Sequence, residues 1–170
     1  LPEICHIGPF TVFSYGLKRF AGHSKKAGVD GDLIVDLPPE QAGPLKKEMT
    51  KAGLDLILLL TPTSDGSRMR LVARMGSGFV YFVSVTGVTG ARKTFSKKIH
   101  GYLRTAKKFT KMPVGVGFGI SNPLQASEAA RYADGVVVGS AIVDRIKKYS
   151  GTKSLYKNIG GFVSGLKKGL

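Results

Sequence analysis

Short apolar runs alternate with longer amphipathic stretches along the whole 170-residue chain, and this alternation constrains the fold more than any other feature. Six runs have the continuous apolar character of strands covered on both faces: Ile4–Ile7, Asp32–Asp36, Leu54–Leu60, Phe79–Ser84, Val114–Phe118 and Gly135–Val138. Helices are predicted over Leu17–Ala27, Pro39–Ala52, Ser67–Met75, Phe95–Phe109, Pro123–Tyr132, Ser140–Tyr149 and Ser154–Lys168. Pro39 and Pro123 fall near helix starts, where a missing N–H costs nothing, and Gly28 and Gly53 follow helix ends. Strands recur every two to three dozen residues, with no linker or low-complexity stretch between them. The pattern predicts one α/β domain over residues 1–170, with six βα units on a parallel sheet.

The charge is strongly asymmetric. A formal net charge of +15 and a pI near 10.1 raise the prior for a nucleic-acid partner. Ten basic and eight acidic residues precede Val85, whereas sixteen and three follow it. The lysines come mostly in pairs on different helices, at Lys25-Lys26, Lys46-Lys47, Lys97-Lys98, Lys107-Lys108, Lys147-Lys148 and Lys167-Lys168. That spacing describes solvated outer helix faces spread around the molecule, so no nucleic acid is expected. No apolar run approaches the roughly 20 residues of a membrane span. A single cysteine, Cys5, excludes an intrachain disulfide and a cysteine-cluster zinc site. The sequence opens at Leu1 in what reads as a strand already under way, as a processed or cut chain would.

In a parallel sheet the loops after the strands share one edge, where ligands bind. Function is therefore expected at Phe10–Thr11, Asp36–Pro38, Thr61–Asp65, Thr86–Arg92, Gly117–Asn122 and Gly139–Ser140. Gly117-Phe118-Gly119-Ile120-Ser121 follows one strand, and Gly139-Ser140 follows the next and opens a helix. Two such loops in adjacent units suit a phosphate held by backbone N–H groups, although either alone reads equally as a tight turn. Thr86–Lys93 is a mobile lid over an anionic substrate or an ordinary connection. Tyr81, mid-strand, lines a pocket or fills the core. Asp36 is an acid/base group or the cap of the following helix, and Asp32 reads as structural. Every lysine falls on a helix or loop, which leaves a Schiff-base mechanism without a candidate. His6, His23 and His100 are isolated, so no metal is expected.

These loops resemble one family closely, the α subunit of tryptophan synthase. The resemblance rests on Tyr15-Gly16, Gly28-Val29-Asp30-Gly31, Asp36-Leu37-Pro38-Pro39-Glu40, Thr61-Pro62-Thr63, Gly78–Tyr81, Ser84, Thr86–Arg92, Val116–Ser121 and Ala133–Ala141, in the family's order. It implies a TIM (β/α)8 barrel that cleaves indole-3-glycerol phosphate to indole and glyceraldehyde 3-phosphate without metal or cofactor. It also implies a pyridoxal-phosphate β subunit as partner and a bacterial cytoplasmic or plastid stromal location. By the same resemblance, Gly90, Gly119, Gly139 and Ser140 hold the substrate phosphate. Tyr81 would sit beside the substrate, and Thr89 would close the loop over it.

The departures shape the expectation. Aligned to the family, the chain begins near the third strand, which predicts an incomplete barrel with six of eight βα units. The family's catalytic Glu and Asp are then expected upstream of Leu1, leaving no catalytic residue in the chain itself. Gly8-Pro9-Phe10-Thr11 replaces a Tyr-Asn-Pro stretch, and Asp32 stands where an apolar strand residue is usual. A non-catalytic phosphate- or partner-binding protein on the same scaffold is the alternative. A different phosphate-binding barrel fits the Thr86–Ala91 loop less well.

Overall fold

A computed structural model of the chain describes residues 3–83, 97–117 and 119–170. Its strands are β1 (Ile4–Ile7), β2 (Gly31–Ile34), β3 (Asp55–Leu60), β4 (Val80–Val83), β5 (Val114–Gly117) and β6 (Gly135–Val137). They form one parallel sheet in sequence order, β1-β2-β3-β4-β5-β6, with each strand hydrogen-bonded to its sequence neighbours. Unidirectional order of this kind is what successive βα units produce when every crossover has the same hand. The result is a half-barrel.

The helices are α1 (Pro9–Tyr15), α2 (Leu17–Lys26), α3 (Gly43–Ala52), α4 (Gly66–Met75), α5 (Lys97–Phe109), α6 (Pro123–Ala130), α7 (Ser140–Tyr149) and α8 (Leu155–Lys168). Most turn one apolar stripe to the sheet. Leu45 and Met49 do so on α3, Met69 and Val72 on α4, and Ile99, Leu103 and Ala106 on α5. Ile34, Leu56, Leu58, Leu60, Val80, Phe82, Val114 and Val116 meet them from the strands. Alternation along each strand then puts Leu33, Ile57, Leu59, Tyr81, Gly115, Gly117 and Val137 on the opposite, concave face.

Three differences from the sequence expectation bear on the site. Phe10–Thr11 lies inside α1, a seven-residue helix with Pro9 in its first turn and Val12 its one buried residue. The helix expected from Pro39 starts at Gly43, because Pro38 to Ala42 forms turns in which Gln41 N–H donates to the Pro38 carbonyl. Asp36 consequently does not cap that helix. It takes a φ of 56°, alone among the described non-glycine residues in being left-handed, and turns the chain out of β2.

Candidate functional site at the carboxyl ends of the strands

The β5–β6 pair sets the geometry of the site. Gly117 is paired with Val137, and two residues further along each chain stand Gly119 and Gly139. Gly119 has a φ of 78°, and a Cβ built there meets no atom within 4 Å. The glycine is thus required by backbone conformation, and the space in front of it is open. Asn122 then caps α6, accepting from Gln125 N–H at 2.9 Å, while Ser121 N–H donates to the Gln125 side chain at 2.8 Å. These bonds fix the loop that carries Gly119.

Gly139 is the N-cap of α7 and supplies no side-chain cap. Its carbonyl accepts from Ile142 and Val143 N–H at 2.9 and 3.2 Å. The N–H groups of Ser140 and Ala141 precede that ladder at the start of a ten-residue helix, where Gly139 and Ser140 are exposed and Ala141 is buried. Such a terminus carries partial positive charge suited to an anion.

Tyr81 projects onto the concave face beside this cradle. A Cβ on Gly117 would stand 2.7 Å from its Cε2 and 2.9 Å from its Cζ, so the ring lies across that glycine. Gly115 likewise leaves room for the Phe79 ring, whose Cδ2 would be 3.3 Å from an added Cβ. The Val-Gly-Val-Gly run of β5 is explained by these two faces: valines under the helices, glycines under aromatic rings. Burial pushes the Tyr81 phenol up from its ordinary value, keeping it neutral and able to donate a hydrogen bond.

The remaining sequence-predicted positions divide. Thr89 and Gly90, with the rest of the Thr86–Lys93 loop, and Phe118 lie outside the described residues. Asp36, Leu59, Thr61, Thr63, Ser64 and Asp65 line an open groove of about 770 Å³ at the ends of β2 and β3. The Glu40–Arg68 ion pair, 2.8 Å, also lines it. Asp65 caps α4, accepting from Arg68 N–H at 2.8 Å and the Ser67 hydroxyl at 2.6 Å. The Ser67 hydroxyl and the Arg68 N–H hold its carboxyl below the ordinary range. Among the described residues, no group of three or more His, Cys, Asp or Glu is placed to hold a metal ion.

The family model for the tryptophan synthase alpha chain matches residues 7–169. This chain belongs to the tryptophan synthase alpha chain family. It is 55% identical over 159 residues to the tryptophan synthase alpha chain of Citrifermentans bemidjiense, and 48% identical to that of Geobacter sulfurreducens. Each match covers 94% of this chain. It covers 59% of the first relative and 60% of the second, so the chain spans about three-fifths of the curated relatives it matches. A Pyrococcus furiosus structure, described as a tryptophan synthase a2b2 complex, superposes with a TM-score of 0.88 at 32% identity. That match covers 98% of this chain and 67% of the other. The Legionella pneumophila alpha subunit gives 0.85 at 30% identity, covering 99% and 62%. Family membership fixes the half-barrel as part of a TIM-barrel architecture.

The sequence singles out Gly119 and Gly139 as loop glycines, and the structure places both in open space just beyond the ends of β5 and β6. Sequence reasoning missed the Tyr81–Gly117 contact, which depends on cross-strand register. The alternation of valine and glycine in β5 is the one signal that pointed to it.

Proposed function

We propose that this chain acts in tryptophan biosynthesis as the phosphate-holding side of an indole-3-glycerol phosphate lyase site. The observation that carries the reading is the pair of open glycine turns, at Gly119 and Gly139-Ser140, aligned on adjacent strands. In this reading their N–H groups and those of Gly90 bind the substrate phosphate. Tyr81 packs beside the substrate, and Thr89 helps close the loop over it. The basic C-terminal half raises the local concentration of the anionic substrate.

The reaction breaks the bond between the indole C3 and the glycerol phosphate carbon that bears a hydroxyl. That hydroxyl loses its proton as the carbon becomes the aldehyde of glyceraldehyde 3-phosphate, and a proton is delivered to C3 as indole leaves. Both transfers need positioned acid and base groups. The family's Glu and Asp are not among these 170 residues in this reading, which makes them one portion of a single barrel domain with no catalytic residue of their own. A β subunit receives the indole. Exposed Phe10 and Phe13 on α1, at the carboxyl end of β1, are candidates for part of that contact. The compartment is then bacterial cytoplasm or plastid stroma; no described helix is long and apolar enough to cross a membrane.

Titration of the 170-residue chain with glycerol 3-phosphate tests the phosphate assignment. Ser140→Glu places a carboxylate where the phosphate sits without harming a helix N-terminus, and should weaken binding about tenfold or more, ~1.4 kcal/mol. Gly119→Pro cannot adopt the observed φ and should do the same. Unchanged affinity in both removes the assignment. Indole release by the chain alone should be negligible, and near-normal turnover would show that its own residues supply the acid and base.

A further inference from the structure

The helix-covered side of β2 contains a carboxyl group that no function above uses. Gly31 and Leu33 face the concave side, so Asp32 points with Ile34 into the layer between sheet and helices. It is 0% exposed, and neither of its oxygens has a hydrogen-bond partner. Register places Cys5 beside it on β1 and Leu56 beside it on β3. From above, α2 supplies the buried Ser24, and α3 packs the apolar Leu45 and Met49 into the same core. The charged groups of α2 look elsewhere. His23 meets the Tyr15 hydroxyl at 2.6 Å and Lys25 meets the Gly53 carbonyl at 3.3 Å, while Lys18, Arg19 and Lys26 are exposed. On α3, Lys46 donates to the Arg74 carbonyl, Lys51 pairs with Glu48 at 2.8 Å and Lys47 is exposed, so the cations of these helices are engaged or solvated away from Asp32.

An ionised carboxylate without a partner is far costlier in such a place than a neutral acid. We infer that the folded chain carries Asp32 as a neutral carboxylic acid, and that its ionisation loosens α2 from the edge strand β1, making this corner a pH-sensitive latch. Burial raises the Asp32 carboxyl; Ser24 and Cys5 lie near enough to offset part of that rise without reaching hydrogen-bond geometry, and burial followed by the Asp32 charge raises the Cys5 thiol. For an acid with a raised folded-state pKa, the contribution to stability is complete below the unfolded value of about 3.9 and is lost as pH rises through the folded value. Ordinary carboxylates give the opposite slope.

Urea unfolding midpoints of the chain and of Asp32→Val, measured from pH 5 to pH 8, test this. The unmodified chain should lose midpoint across that range relative to Asp32→Val, which differs from it only in lacking that carboxyl. Two further measurements need no variant. The Asp32 carboxyl carbon should titrate well above the usual aspartate range by NMR. Cys5, the only cysteine, should react with a thiol reagent at a rate rising more than the roughly tenfold per pH unit that thiolate formation alone gives. Ionisation without loosening would instead hold that slope at or below tenfold, because the Asp32 charge opposes the thiolate. An ordinary carboxyl titration, an equal midpoint loss in Asp32→Val, or a Cys5 slope of tenfold or less overturns the inference.

Discussion

Substituting Gly117 by alanine gives a direct measure of the contact between β5 and the Tyr81 ring. The added methyl carbon would stand 2.7 Å from Cε2 and 2.9 Å from Cζ, against about 3.5–4.0 Å for carbon atoms in favourable contact. The ring must therefore move by roughly 1 Å. Overpacking of this size costs about 1–3 kcal/mol. Tyr81 is only half-buried on an open concave face, so the ring can swing outward, and the lower half of that interval is expected. Without the ring the sign should change, because alanine in a strand interior is about 0.5–1 kcal/mol better than glycine. Gly117→Ala should thus destabilise the Tyr81 chain yet be neutral or stabilising in a Tyr81→Ala background. Urea denaturation of the four chains in the double-mutant cycle reads this as a coupling of ~1 kcal/mol or more. The same displacement should weaken glycerol 3-phosphate if Tyr81 lies against bound ligand. An equal cost of Gly117→Ala in both backgrounds would refute the packing argument.

Other consequences follow from the caps and from the ion pair between Lys107 on α5 and Asp134 at the β6 entry. Asn122→Ala removes the α6 cap and should cost about 1 kcal/mol in unfolding, with a larger relative loss of glycerol 3-phosphate affinity because the cap also fixes the Gly119 loop. Asp134 accepts from Val114 N–H at 2.9 Å and Lys107 Nζ at 2.8 Å. Partial burial opposes its ionisation, but those two donors outweigh it and hold the carboxyl below its ordinary value. Its stabilising contribution is therefore present above the unfolded pKa of about 3.9 and lost as pH falls through the folded value, so Asp134→Ala should flatten the acid side of the stability profile. Asp65, lowered by Ser67 and Arg68, acts in the same direction, and Asp65→Asn should remove part of the acid-side slope while preserving the cap.

The fold was legible wherever one rule governed a whole segment. Apolar runs flanked by helical periodicity located all six strands, since a parallel strand covered on both faces has no polar alternation to obscure it. Boundaries moved where local backbone chemistry competed. Asp36 ends the apolar run, yet its left-handed φ turns the chain away after Ile34. Pro38, Pro39 and Pro44 all offer a helix start, and only Pro44 lies in a first helical turn, because the first two are consumed in turns. α1 escaped detection because a helix with a single buried residue carries no periodicity; Gly8-Pro9 was its only mark. Within the site, glycines revealed the backbone positions, but the orphaned Asp32 and the Tyr81 ring became visible only once register had assigned each residue a side of the sheet.

That assignment also links the site to the open edge of the half-barrel. Among the described residues β6 pairs with β5 alone, spans three residues and contains no fully buried side chain. Val137, Val143, Ile146 and Val163 on β6, α7 and α8 are exposed apolar residues, as are Ile4 and Phe13 at the other end of the sheet. The central α3 and α4 show none of comparable exposure. Unpaired edge strands invite pairing, and exposed apolar side chains beside both edges add to that tendency. Gly139 and Ser140 follow this least-supported strand after Val138, so half of the proposed phosphate cradle depends for its position on the β5–β6 ladder. Any strand that pairs with the free edge of β6 therefore stiffens the cradle, and by linkage any anion bound in the cradle stabilises β6 against local unfolding.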